Sequence, residues 1–168
     1  MNILRNKKYE TWSTNLMKAF QEYYTEEFSY CYGCGTKNSY GHQLKTYWDG
    51  DETVSHFTPK PEHTALPGFV YGGLIASLID CHSTGTGSAA IYKAQNSKEK
   101  FYPRCVTASL KVDFIKPTPI DCTLELRGKV KELKGRKVIV EVDLFAKGKI
   151  CAKGNVVVVQ VPNDWQAQ

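Results

Sequence analysis

The sequence predicts an α+β domain in which an antiparallel sheet wraps around one long helix, with an extra helix at the N-terminus. Three observations point there. A single helical stretch runs from Gly72 to about Lys93. Beyond Pro103 the chain turns to strand-like segments rich in Val, Ile, Leu and Thr, and the last three are joined only by short glycine turns. Strands joined without a long crossover pair antiparallel. Ahead of the helix, Asp49-Gly50-Asp51 carries the Asp-Gly signal of a tight hairpin. A helix of that length spans roughly 30 Å, enough for a sheet to curl around it, though the pattern alone also permits other α+β domains.

In chain order, residues 7–28 come first. Trp12, Leu16, Ala19, Phe20 and Tyr23 recur there at helical spacing, with Lys and Glu between them. The polar face is mixed in sign, unlike the cationic face of a membrane-surface helix. Residues 29–41 are a loop of Gly, Cys and Tyr. Short strands at 43–48 and 53–57 flank the Asp-Gly turn. Pro59, Pro61 and Pro67 mark an extended connection to the long helix. Strands are then expected at 106–115, 123–133, 137–145 and 150–161, with turns at Lys134-Gly135-Arg136 and Lys147-Gly148-Lys149. In the first of them Leu110, Val112 and Phe114 alternate with Ser109, Lys111 and Asp113, giving an apolar and a polar face. This organisation predicts a helical appendage over residues 1–30 and the main domain over 31–168.

Composition bounds the function. The 168 residues are 42% hydrophobic and 23% charged, ordinary values for a folded domain. The longest apolar stretches, 69–79 and 156–161, are too short to span a bilayer. Residues 1–12 carry charge and no apolar core of a secretory signal, so a cytoplasmic protein is expected. Net charge is 22 − 17 = +5, unevenly spread: residues 98–153 hold 14 basic and 7 acidic side chains. That half suits an anionic partner, whether a phosphorylated cofactor, nucleic acid or a membrane surface, or else is a solvated lysine-rich face. Eighteen of the 22 basic residues are Lys, which argues against bidentate reading of bases or phosphates. The six cysteines are too sparse for a disulfide scaffold and read as reduced thiols. Cys31-x-x-Cys34 stands without a second such pair, whereas a structural zinc site takes four ligands. It reads as a tight glycine-rich knuckle, and no metal is expected.

The segment with chemical content runs from Pro67 to Asp80. Gly72 and Gly73 open the helix, where backbone N–H groups have no helical partner and the helix dipole favours a developing oxyanion. Leu74, Ile75, Leu78 and Ile79 share one arc. Asp80 falls on the opposite face among Ala76, Ser77, Ser83, Thr84 and Gly87, small residues that leave room for a ligand or a second subunit. On periodicity alone, the simpler reading of Asp80 is a solvent-facing acid.

Pro67-Gly68, Gly72-Gly73, Asp80 and the following Val106-Thr107-Ala108-Ser109-Leu110 together resemble the PaaI-like acyl-CoA thioesterases of the hot-dog superfamily. The knuckle Cys31-Tyr-Gly-Cys34-Gly35 with Asn38 and Gly41, the run Lys116-Pro117-Thr118-Pro119 and Gly135-Arg136-Lys137 fall where that family has similar runs. The resemblance covers about residues 31–161. It implies hydrolysis of an acyl-CoA thioester, with Asp80 as general base or nucleophile. It implies a carbonyl polarised by the Gly72 amide with Gly73 beside it. A hydroxyl on the next strand, often presented by the other subunit, matches Thr107.

Two positions depart from the family pattern. Tyr71 stands where many members have His before the two glycines, and Ala65 where some have Asn or Gln; His63 is retained. Tyrosine can donate a hydrogen bond but is a poor base. These departures leave a second reading, a hot-dog module that binds acyl-CoA or lipid without hydrolysing it. Lys116, Arg136 and Lys137 are the candidates for the phosphates of coenzyme A. No cofactor, nucleic acid or membrane span is expected, and the resemblance implies a homodimer or tetramer.

Overall fold

The computed structural model describes residues 18–162. Its six strands form one antiparallel sheet around a single long helix, the hot-dog arrangement. The elements are β1 (Thr46–Asp49), β2 (Glu52–Phe57), α1 (Gly72–Ala94), β3 (Cys105–Phe114), β4 (Leu124–Lys134), β5 (Lys137–Ala146) and β6 (Lys149–Gln160). Their order across the sheet is β1-β2-β4-β5-β6-β3. The two ends of the sheet are thus β1 and β3, whose outer edges have no strand partner among the described residues.

Local sequence accounts for the turns. Gly50 takes φ +63° between β1 and β2, and Gly135 takes φ +58° between β4 and β5. Lys147 and Gly148 have φ 50° and 72° between β5 and β6, the mirror-image turn whose twist suits a two-residue hairpin. Alternation then sets the inner face. Val138, Val140, Val142 and Leu144 of β5 and Ala152, Val156 and Val158 of β6 are buried against Leu74, Leu78 and Ile79 of α1. Gly154 lets the helix approach closely, since a Cβ there would stand 2.3 Å from Ile79 Cγ2.

The helix carries polar residues on its buried faces as well. His82 lies fully buried, its Nδ1 2.8 Å from Ser55 Oγ and its Nε2 3.0 Å from Thr53 Oγ1. Burial holds the imidazole down at about 3. Burial on nearly all sides over residues 81–91 explains why the polar and apolar arcs there do not divide into wet and dry faces.

The N-terminal helix expected over residues 7–28 is not what the chain forms in its described part. Residues 18–30 make two short 3-10 turns, Phe20–Tyr23 and Glu26–Tyr30; the earlier part of the expected helix lies outside the described residues. Tertiary contacts override the helical period here. Phe20 packs on Trp48 with centroids 5.4 Å apart, and Tyr23 stacks on Tyr102 at 4.8 Å. The Gln21 side chain accepts from Thr46 N at 2.9 Å and donates to Thr46 Oγ1 at 3.1 Å. These bonds tie the segment to β1.

The polar face of the sheet disposes of much of the basic excess. Arg127 pairs with Asp49 at 2.9 Å, Lys129 with Glu52 at 2.9 Å and Lys153 with Asp143 at 2.7 Å. Exposed pairs of this kind add about 0–1 kcal/mol each to stability. They set cations beside carboxylates across that face.

Candidate active site

Asp80 lies in the middle of α1, half-buried, and it meets β3. Thr107 Oγ1 donates to Asp80 Oδ1 at 2.5 Å. The Thr84 hydroxyl, one turn along the helix, lies 3.0 Å from both the Asp80 carbonyl oxygen and Thr107 Oγ1. Burial raises the Asp80 carboxyl above its usual range, and the Thr107 bond offsets part of that rise. One carboxyl oxygen thus accepts from Thr107, and the other has no hydrogen-bond partner among the described residues.

A β-bulge makes this contact possible. Thr107 pairs with Val158, while Ser109 pairs with the adjacent Val157, so Ala108 is an extra residue in the ladder. Strict alternation would put Thr107 on the polar face with Ser109, Lys111 and Asp113. The bulge returns it to the helix side, as bulges beside active sites commonly do. Asp80 and Thr107 therefore come from the same chain, whereas the resemblance implied a hydroxyl often presented by another subunit.

The pair lines a cavity of about 350 Å³ together with Tyr24, Ser88 and Arg104. The Tyr24 hydroxyl is buried with no hydrogen-bond partner among the described residues. Cys31, Cys34 and Cys81 line the same cavity. The Cys34 side chain, then that of Cys81, together with the N–H groups of Gly33 and Cys34, bond to Cys31 Sγ and hold its thiol well below the usual range. The same sharing with Cys31 pushes the Cys34 and Cys81 thiols up.

Gly72 and Gly73 begin α1, and Tyr71 supplies no side-chain cap. Their N–H groups are among those a helix cannot satisfy itself. The Tyr71 ring folds over Gly73, where a Cβ would stand 2.6 Å from its Cε2. Phe114 of β3 covers Gly72. Gly72 and Asp80 are separated by 80 − 72 = 8 residues, or about 12 Å at helical rise. One thioester carbonyl cannot touch both within one chain.

The other expected residues are scattered. His63 is joined to Tyr71 through the backbone, Tyr71 N donating to His63 O at 3.0 Å, while its ring packs on Phe57 and His42. Arg136 lies at one end of the sheet, where its carbonyl accepts from Gln160 N at 2.8 Å; Lys137 pairs with Val159 beside it. Arg104 is at that same end, its carbonyl accepting from Val161 N at 2.9 Å. Lys116 follows β3 at the opposite end, bonded through its N–H to Cys151 O at 3.1 Å. The structure does not bring Lys116 together with Arg136 and Lys137. Arg104 and Cys81 were not singled out from sequence. Cys81 is adjacent to Asp80 but far along the chain from the Cys31–Cys34 knuckle, so no spacing rule connects them.

Comparison with known proteins agrees with this fold. The model of the family described as "Thioesterase superfamily" matches residues 67–152. Over 85 residues the chain is 36% identical to the Acyl-coenzyme A thioesterase THEM4 of Xenopus laevis, covering 51% of this chain and 33% of that protein. The Mus musculus protein of the same name is 32% identical over 88 residues, covering 52% and 33%. The chain thus spans about a third of the length of these curated relatives. Among solved structures, a thioesterase superfamily protein from Shewanella loihica is 53% identical with a TM-score of 0.62, covering 76% of this chain and 98% of that one. The E. coli PaaI protein shares the fold at a TM-score of 0.59 and 14% identity, over 72% of this chain and 81% of that one.

Proposed function

The chain belongs to the thioesterase superfamily, and from that premise we propose that it hydrolyses an acyl-CoA thioester to the free acid and coenzyme A, with Asp80 as general base. The observation that carries this reading is the half-buried Asp80 carboxylate held by Thr107 at the wall of a cavity. Asp80 takes a proton from water, and the water oxygen attacks the thioester carbon. The carbonyl electron pair moves onto oxygen, which a helix-start amide stabilises. Collapse expels the coenzyme A thiolate, and the proton held by Asp80 returns to it. Desolvation suits the task, because it raises the basicity of the carboxylate towards the operating pH.

The separation of Gly72 from Asp80 along α1 implies two copies. The Gly72 amide of one chain works with Asp80 and Thr107 of another, so the smallest active unit is a homodimer. Tyr71, exposed at that helix start, donates a hydrogen bond to the substrate in place of a histidine. Arg136 and Lys137 take the phosphates of coenzyme A at the mouth nearest Arg104.

The names of the THEM4 relatives support the substrate class. The test is free-thiol release from a panel of short, long and aromatic acyl-CoAs. Turnover on one class establishes the activity and names its substrate. Tight acyl-CoA binding with no thiol release on any of them would instead favour a binding module, the reading motivated by Tyr71 and Ala65.

A further inference from the structure

The Cys31, Cys34 and Cys81 sulfurs lie within 4.8 Å of one another, the one group of its kind among the described residues. Cys31 and Cys81 Sγ are 3.9 Å apart. Metal–thiolate bonds of about 2.3 Å in a tetrahedron place sulfurs about 3.8 Å from each other. The observed spacing therefore suits one ion with little movement of the chain.

The knuckle is shaped around these sulfurs. Gly35 N donates to Cys31 O at 2.8 Å, closing the turn, and Leu44 N donates to Gly33 O at 3.1 Å, anchoring it. A Cβ on Gly33 would stand 2.1 Å from Cys81 Sγ. Only glycine there lets the loop close on the helix. Cys34 and Cys81 are buried, and Cys31 forms the exposed corner.

We propose that Cys31, Cys34 and Cys81 bind one thiophilic divalent cation of the zinc class, with the fourth coordination position open to the cavity beside Asp80. Soft thiolates select such an ion over magnesium or calcium. The ion displaces three thiol protons to solvent and forms three metal–sulfur bonds, leaving a complex of net charge −1. Three protein ligands leave the fourth position to water. Bound there, the ion pins the knuckle to α1 next to the carboxylate. This site does not depend on the hydrolase reading.

The test uses the full chain under reductant. Plasma mass spectrometry after growth with zinc is expected to find one zinc per chain. Co2+ added to the metal-stripped chain is expected to give thiolate-to-cobalt charge-transfer absorption in the near ultraviolet. Cys31→Ser, at the exposed corner, should weaken zinc by about tenfold or more against a chromogenic chelator, since even outer-shell partners carry that much. Cys122→Ser, outside the cluster, should leave zinc affinity unchanged. A reduced wild-type chain that takes up neither Zn2+ nor Co2+ overturns the proposal. So does stoichiometric binding that survives joint substitution of Cys31 and Cys81 in a folded chain. A Cys31–Cys81 disulfide, seen as a loss of two hydrogens in mass, counts against it when the reduced chain still binds no metal.

Discussion

At the level of single residues, polar groups stand where burial makes each one matter. Thr107 donates to one oxygen of Asp80, and in the proposed reaction the other takes the proton of water. Thr107→Val keeps the shape and removes the donor. It is expected to lower kcat/KM by about tenfold, the worth of one hydrogen bond to a charged group. Unchanged kinetics would remove Thr107 from the site. His82 makes a separate prediction about stability. Its folded value of about 3 lies below the ordinary value of 6.5, so the unfolded chain binds the proton more readily. The stability it contributes is complete above about pH 6.5 and declines by about 1.4 kcal/mol per pH unit as pH falls towards 3. Thermal melts between pH 7 and 4 should show that slope in the wild type and a shallower one in His82→Gln. Equal slopes would contradict it. Asp80 and Thr107 were legible in the sequence only through the family pattern. The helical period placed Asp80 opposite the apolar arc but could not tell a face turned to a cavity from a solvated one, because both take small and polar residues. Thr107 lies across a bulge that reverses alternation, which no periodic reading foresees.

At the element scale, α1 and the hairpins followed from local chemistry, and the N-terminal segment did not. Glycines at the turns and period-two alternation in β5 and β6 specify the hairpins locally, whereas the β2–β4 and β3–β6 pairings join strands distant in the chain. Residues 18–28 carry a helical pattern too, yet Gln21, Phe20 and Tyr23 are committed to β1 and Tyr102. The start of α1 offers a clean test of the oxyanion role. Tyr71 at ψ 145° is extended, as the residue before a proline must be, and proline is accepted at the first helical position. Gly72→Pro therefore removes the N–H while leaving the helix intact. It is expected to lower kcat by about 100-fold, the usual cost of one oxyanion donor. Gly72→Ala, which keeps the N–H and meets the same Phe114 ring, is the control and should retain most activity. Equal losses in the two variants would assign the effect to crowding by Phe114.

At the scale of the whole molecule, the chain looks unfinished along β3. That strand is an edge of the sheet, and Leu110, Phe114 and Ile115 are 40%, 58% and 49% exposed along it. Leu66, Phe69 and Tyr71 add exposed apolar surface near the helix start. An edge without a strand partner among the described residues and with exposed apolar side chains can pair with another strand, and a second copy would also supply a helix-start amide within reach of Asp80. Light scattering is expected to give at least a dimer. Leu110→Lys should shift the mass towards the monomer and lose activity with it; an active monomer would contradict the two-copy site. The α+β class was legible at this scale from the order of hairpin, helix and meander, while the hot-dog arrangement came with the family resemblance. The fate of the basic excess was not legible, because ion pairing across strands depends on register. The role of Asp80 is tested by kcat/KM for thiol release by Asp80→Asn beside the wild type, with melting curves for both. A loss of about 1,000-fold is expected, within the range for a general base, with the fold retained. Activity near the wild-type value would contradict it.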